Sequence, residues 1–136
     1  MGSGWLAKKL DAKMLEGKIA DEWVPIDQLP IRPGREVAEE LGGRLLLRYL
    51  IDAHDIGVPI PTFVSPTPYS VEEVGYSLAL PRPDLARRYV LFLDPRRIDY
   101  LQGPRWCNLG SGIEYVLPNG FERGAVLDPG WGVEVR

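Results

Sequence analysis

The sequence predicts an α+β domain: N-terminal helices followed by a small twisted, mainly antiparallel β-sheet. Three observations carry this. Apolar residues recur at helical spacing up to residue 54, a proline-dense stretch follows, and short β-rich runs separated by turn signals begin near residue 88. A chain of 136 residues suits one domain. We therefore read residues 1–136 as a single unit, with residues 1–54 a helical part and residues 55–136 a loop-rich β core.

In residues 5–18, Leu6, Leu10 and Met14 lead to Ile19 near a 3–4 spacing, which predicts an amphipathic helix stopped by Gly17. Pro25, Pro30 and Pro33 predict an extended segment after it. Val37, Leu41, Leu45, Leu46, Tyr49 and Leu50 form a stronger stripe and predict a helix over residues 35–53, weakened or bent at Gly42-Gly43. From Gly57 onward, Pro59, Pro61, Pro66, Pro68, Pro81 and Pro83 exclude long helices and central strands. Only residues 71–74 predict a helical turn there, with Ser70 as its cap and Glu73 three residues on. A stretch this long inside a compact domain points to a functional loop, and Phe63, Tyr69 and Tyr76 favour an ordered one.

The second half reads as β. Residues 88–93 are apolar throughout after Arg88, as a buried central strand requires, and Asp94-Pro95 ends them. Residues 113–117 make a second strand, and Pro118-Asn119-Gly120 supplies the chemistry of a tight hairpin. Residues 124–127 and 131–135 flank the turn Asp128-Pro129-Gly130. Residues 88–136 are thus expected to form one antiparallel sheet of four or more strands.

Sixteen basic and nineteen acidic side chains give a net charge of −3, which argues against a nucleic-acid partner. Arg82, Arg87, Arg88, Arg96, Arg97 and Arg105 cluster in sequence and are able to grip the phosphates of a small ligand or simply solvate a surface. Cys107 and His54 are each unique, so a disulfide, a thiolate cluster and a multi-histidine metal site are excluded within this chain. No run has the length of a membrane span. The opening Met1-Gly2-Ser3-Gly4 suggests a piece of a longer protein.

Chemistry concentrates in Gly103-Pro104-Arg105-Trp106-Cys107-Asn108-Leu109-Gly110-Ser111-Gly112-Ile113-Glu114-Tyr115. Glycines on both sides of Ser111 allow a tight bend and close approach to a ligand, and Glu114 follows at the start of a strand. Spacing alone is equally served by a glycine-rich turn with an exposed glutamate.

An ordered series of steps adds to this. Gly57-Val58-Pro59, Phe63-Val64-Ser65-Pro66, Thr67-Pro68-Tyr69 and Leu80-Pro81-Arg82-Pro83 come first. The strand Tyr89-Val90-Leu91-Phe92-Leu93-Asp94-Pro95, Gly103-Pro104 and Gly110-Ser111-Gly112-Ile113-Glu114-Tyr115 follow. Over nearly half its length the chain thereby resembles the TNT family, the necrotizing-toxin type of NAD glycohydrolases. Three positions depart from the family pattern. Thr62 and Leu78 stand where the family has arginines, and Glu114 stands at its catalytic glutamine. The run Glu114-Tyr115-Val116-Leu117-Pro118 also resembles the catalytic-glutamate strand of toxin ADP-ribosyltransferases, whose core is similar in architecture.

The resemblance implies cleavage of the nicotinamide–ribose bond of NAD, which is a substrate rather than a retained cofactor; no metal is needed. Nicotinamide leaves readily, so the barrier is positive charge developing on the ribose. A carboxylate there stabilises the transition state more than the ground state, which makes Glu114 the catalytic candidate. Arg105, with Arg82 behind it, is the candidate for the pyrophosphate. Trp106 or Tyr69 would stack on the nicotinamide ring, Ser65 and Thr67 would bind ribose or phosphate oxygens, and Tyr115 completes the substrate-binding set. A cleft lined by Ser65, Tyr69, Arg105, Trp106 and Glu114 is therefore expected. The resemblance further implies the C-terminal toxin end of a secreted or delivered bacterial protein, acting in a target cell's cytoplasm, with a cognate immunity protein as partner. Three readings stay open: a glycohydrolase, an ADP-ribosyltransferase using the same site, and a non-catalytic interaction domain.

Overall fold

The computed structural model describes residues 12–19, 23–107 and 112–135. Among them run strands β1 (Ile31–Pro33), β2 (Leu46–Leu50), β3 (Thr62–Val64), β4 (Tyr89–Leu93), β5 (Tyr100–Trp106), β6 (Ile113–Leu117) and β7 (Val133–Glu134). Helices α1 (Gly34–Glu40) and α2 (Val74–Ser77) and a helical turn at residues 12–14 accompany them. The class is α+β, and every strand pairing is antiparallel.

The strands form two sheets, of order β1-β5-β6-β3 and β2-β4-β7. One segment joins them. β3 pairs with β6 as far as Val64, and the next residue, Ser65, exchanges two backbone hydrogen bonds with Leu47 of β2, at 2.7 and 2.9 Å. The core takes Leu46, Leu50, Leu91 and Leu93 from one sheet and Val64, Leu101, Ile113, Tyr115 and Leu117 from the other, with Val37 and Leu41 of α1. In β6 the odd positions face this core. Period-two alternation sends Glu114 and Val116 to the opposite face.

Several expectations are corrected. The helix expected over residues 35–53 ends at Leu41. There Gly42 N–H bonds to Glu39 O and Gly43 N–H to Ala38 O, the paired bonds of a Schellman stop, with φ of +59° and +89° at the two glycines. The leucine run beyond it becomes β2, whose residues are mated to β4 from Leu46↔Leu93 to Leu50↔Tyr89. The helix expected over residues 5–18 lies partly outside the described residues, and its described end is helical at residues 12–14.

The single sheet expected over residues 88–136 is divided between the two sheets. Gly120 N–H does close a turn on Leu117 O, but the chain then leaves β6. Val126 bridges Leu93 and Leu127 N–H bonds to Phe92 O, so the return segment joins the end of β4 instead of forming a hairpin. Ser70 caps its turn as expected, its Oγ accepting from Glu73 N–H at 3.2 Å.

Candidate functional site

β5 and β6 are neighbours in the first sheet, and their register sets Arg105 opposite Glu114. Directly opposed residues of opposite charge interact across a strand pair. Here Arg105 Nε and Nη2 each donate to Glu114 Oε2 at 3.2 Å. The two side chains are 7% and 6% exposed, so this is a buried ion pair. Arg105 Nη1 also donates to Val24 O at 2.8 Å, and its guanidinium carbon lies 5.3 Å from the centre of the Trp23 ring. On the same strand the Gln102 amide donates to Ile26 O at 2.8 Å and to Leu29 O at 2.9 Å. Residues 23–29 therefore lie across Arg105 and Gln102, pinned by three side-chain hydrogen bonds.

A cavity of about 310 Å³ adjoins this arrangement, at the low end for small-molecule sites. Lys18, Val24, Gln28, Arg32, Glu36 and Arg105 are among its lining residues. Arg32 donates to Gly103 O at 2.8 Å and pairs with Glu40 at 2.8 Å and Glu36 at 3.1 Å. The hydrogen bond with Glu40 is the main reason its pKa is raised above the ordinary value. Glu114 is not among the lining residues, and Arg105 connects the two: it faces the cavity and holds the carboxylate.

The other candidates gather at the backbone one residue away. Ser65 Oγ donates to Ile113 O at 2.7 Å and accepts from Thr67 N–H at 3.2 Å. The Tyr69 hydroxyl accepts from Ile113 N–H at 3.2 Å. Beyond the end of β3, these two hydroxyls take over the hydrogen bonds that a neighbouring strand would give β6. Ser65 and Thr67 are fully buried and Tyr69 nearly so. Gly112 is required here, because an added Cβ would stand 2.8 Å from the Tyr69 hydroxyl and 2.9 Å from Ser77 O. Leu78 packs against Gly112, and its carbonyl accepts from Cys107 Sγ at 2.9 Å.

The expected cleft is thus two groups around the start of β6. Arg105 and Glu114 form one, and Ser65, Thr67 and Tyr69 the other. Trp106 is half-buried against the core, opposite Ile113, and does not line the cavity. Tyr115 is fully buried and donates its hydroxyl to Glu40 Oε2 at 2.6 Å. Arg82 is exposed on the loop after α2, away from the lining of the cavity.

The arginine cluster is dispersed. Arg87 points inward and holds the carbonyls of Pro81, Arg82 and Leu85, and burial lowers its pKa. Arg96 and Arg97 pair with Asp94. Only Arg105 of the six lines the cavity.

Sequence reasoning missed Gln102, Trp23 and the carbonyl of Val24. The available signal was polarity inside an otherwise apolar strand: Gln102 and Arg105 are both buried in β5, where unpaired polar groups are costly. Among the described residues no group of three or more His, Cys, Asp or Glu is placed to hold a metal ion, and no helix is long and apolar enough to cross a membrane. Compared with protein-family models, with curated proteins and with solved structures, the chain finds no match.

Proposed function

We propose that this chain cleaves NAD at the nicotinamide–ribose bond, with water as acceptor, and that Glu114 is the catalytic group. The observation that supports it most is the juxtaposition of one carboxylate with one cavity-lining guanidinium. Glu114 and Arg105 stand on paired strands at the base of the glycine-rich loop, 3.2 Å apart. Lys18 and Arg32 share the cavity with Arg105; Arg32 is already paired with Glu36 and Glu40, so a pyrophosphate there would draw on Lys18 and compete for the two arginines. The cavity suits part of a dinucleotide, its phosphates, rather than the whole.

In the proposed step the bond between ribose C1′ and the nicotinamide nitrogen breaks, and its electron pair leaves with neutral nicotinamide. Water adds to C1′ and gives up a proton, yielding ADP-ribose. Glu114 stabilises the positive charge on the ribose as it develops. Ser65 and Tyr69 serve the site by holding the backbone of Ile113, and so the direction of β6, rather than by touching substrate, and the Thr67 N–H donates to the Ser65 hydroxyl that does so. The resemblance extends the proposal to a toxin domain of a longer, delivered protein with an immunity partner.

The test is to incubate the purified domain with NAD and quantify nicotinamide and ADP-ribose. Glu114→Ala should lower cleavage by roughly two to four orders of magnitude while the far-ultraviolet spectrum stays native. Glu114→Gln should keep part of the activity in a glycohydrolase. In an ADP-ribosyltransferase it should abolish transfer to a protein acceptor. A non-catalytic interaction domain is the second reading, favoured by the fact that Glu114 already carries an internal counter-ion. Equal inactivity of wild type and Glu114→Ala would overturn NAD cleavage and leave that reading in its place.

A further inference from the structure

We propose that residues 23–29 are a strap closed over Glu114, latched by Arg105 and Gln102, and that the carboxylate meets substrate only when this strap lifts. The inference rests on the reading of Glu114 as the catalytic group and adds the regulation of its access. In the closed arrangement the Glu114 side chain is only 6% exposed, too little to reach a ribose.

Among the described residues, side-chain hydrogen bonds and one cation–ring contact hold the strap. Gln102 grips the carbonyls of Ile26 and Leu29, Arg105 grips that of Val24, and the Arg105 guanidinium lies over Trp23. Both anchors stand on β5 and point to the face that Glu114 shares. Apolar burial is partial, with Val24, Pro25 and Ile26 half-buried. The 3-10 turn Ile26–Gln28 buries none of its residues, and within residues 23–29 only Leu29 is buried. A segment with a single buried apolar side chain and polar anchors opens at lower cost than the core, as mobile covers of sites do. Firm attachment resumes at β1, paired with β5 from Ile31↔Gln102 to Pro33↔Tyr100. The strap therefore has a fixed end from which to swing.

Arg105 has a double role in this device. The same guanidinium neutralises Glu114 and ties down the strap, so an anionic substrate competing for it would loosen both at once.

Carbodiimide labelling of carboxylates, read by mass spectrometry, tests the strap without relying on NAD chemistry. In the wild-type domain Glu114 should label far more slowly than the exposed Glu72. Gln102→Ala removes two strap bonds and should raise Glu114 labelling about tenfold, the scale of losing two hydrogen bonds. Amide exchange of residues 23–29 should accelerate in parallel. Trp23→Ala, at a residue exposed enough to leave the core untouched, should raise labelling in the same direction and guards against misfolding of the first variant. Gln102→Ala should also increase NAD turnover, whereas a merely structural glutamine would lower it. Unchanged Glu114 labelling in both variants overturns the strap. Faster labelling with no NAD cleavage by any form leaves the strap standing and overturns the catalytic reading on which its purpose rests.

Discussion

Removing one partner of the Arg105–Glu114 pair exposes how much of the fold depends on it. With the two side chains 7% and 6% exposed, Glu114→Ala leaves a guanidinium buried without its counter-charge. Breaking a buried pair this way costs about 3–5 kcal/mol. Arg105 keeps its bond to Val24 O and its contact with Trp23, so the lower end, about 3 kcal/mol, is expected. Glu114→Gln retains a neutral acceptor for the guanidinium and should cost roughly half as much, near 1.5 kcal/mol. The double variant Arg105→Met/Glu114→Leu removes both charges together and should lie within about 1 kcal/mol of wild type. With the single variants Arg105→Met and Glu114→Leu the cycle closes, and its coupling energy should be strongly favourable, which separates the pair from packing losses.

Urea unfolding followed by tryptophan fluorescence measures wild type and each variant. The midpoints should shift with little change in m, because the surface exposed on unfolding is nearly the same. At about 0.05–0.15 kcal/mol per residue, a domain of 136 residues retains a margin over a 3 kcal/mol loss, so Glu114→Ala remains folded for the NAD assay. A cost below about 1 kcal/mol for Glu114→Ala would mean that water screens the pair as at a surface. That result would refute its burial and count against the proposed strap.

Tyr115→Phe deletes the hydroxyl donated to Glu40 at 2.6 Å, a hydrogen bond to a charged group, and should cost about 1.5–3 kcal/mol in the same urea assay. Gly112→Ala drives a Cβ to within 2.7 Å of Leu78 and 2.8 Å of the Tyr69 hydroxyl, so a loss of about 1–3 kcal/mol is expected, with native yield as a second readout. Asp94 has its pKa lowered, chiefly by side-chain hydrogen bonds from Arg96. A carboxylate depressed in the folded state stabilises above its unfolded pKa of about 3.9, and this contribution is lost as pH falls through the depressed folded value. Asp94→Asn should therefore lower the urea midpoint at neutral pH, and the difference from wild type should close in acid; a difference that persists there would contradict the assignment.

What was legible in the sequence was whatever neighbouring residues determine. The run Tyr89–Leu93 became a central strand because an unbroken apolar stretch has to be covered on both faces, and Ile113–Leu117 became a strand with the expected bounds. Ser70 announced its own turn because a cap is a local hydrogen bond. The errors share a different cause. Leu45, Leu46 and Leu50 continue the spacing of Val37 and Leu41, yet two glycines end the helix between them, and pairing with β4 decides the conformation of the rest. Asn119-Gly120 does turn the chain, but nothing local says which of two sheets receives the returning segment.

The site follows the same division. Glu114 was legible only as a candidate, a carboxylate following a glycine-rich loop. Its surroundings were not, because Arg105, which holds it, is itself bonded to Val24 across 81 positions of sequence. A sequence pattern marks a candidate group, whereas partners distant in sequence decide how exposed it is. An exposed-glutamate turn and a catalytic carboxylate look alike in sequence, and a buried, latched carboxylate is a third state that neither reading anticipated. The labelling experiment and the mutant cycle bear on that third state from independent sides, one on access to the carboxylate and the other on the energy of keeping it closed.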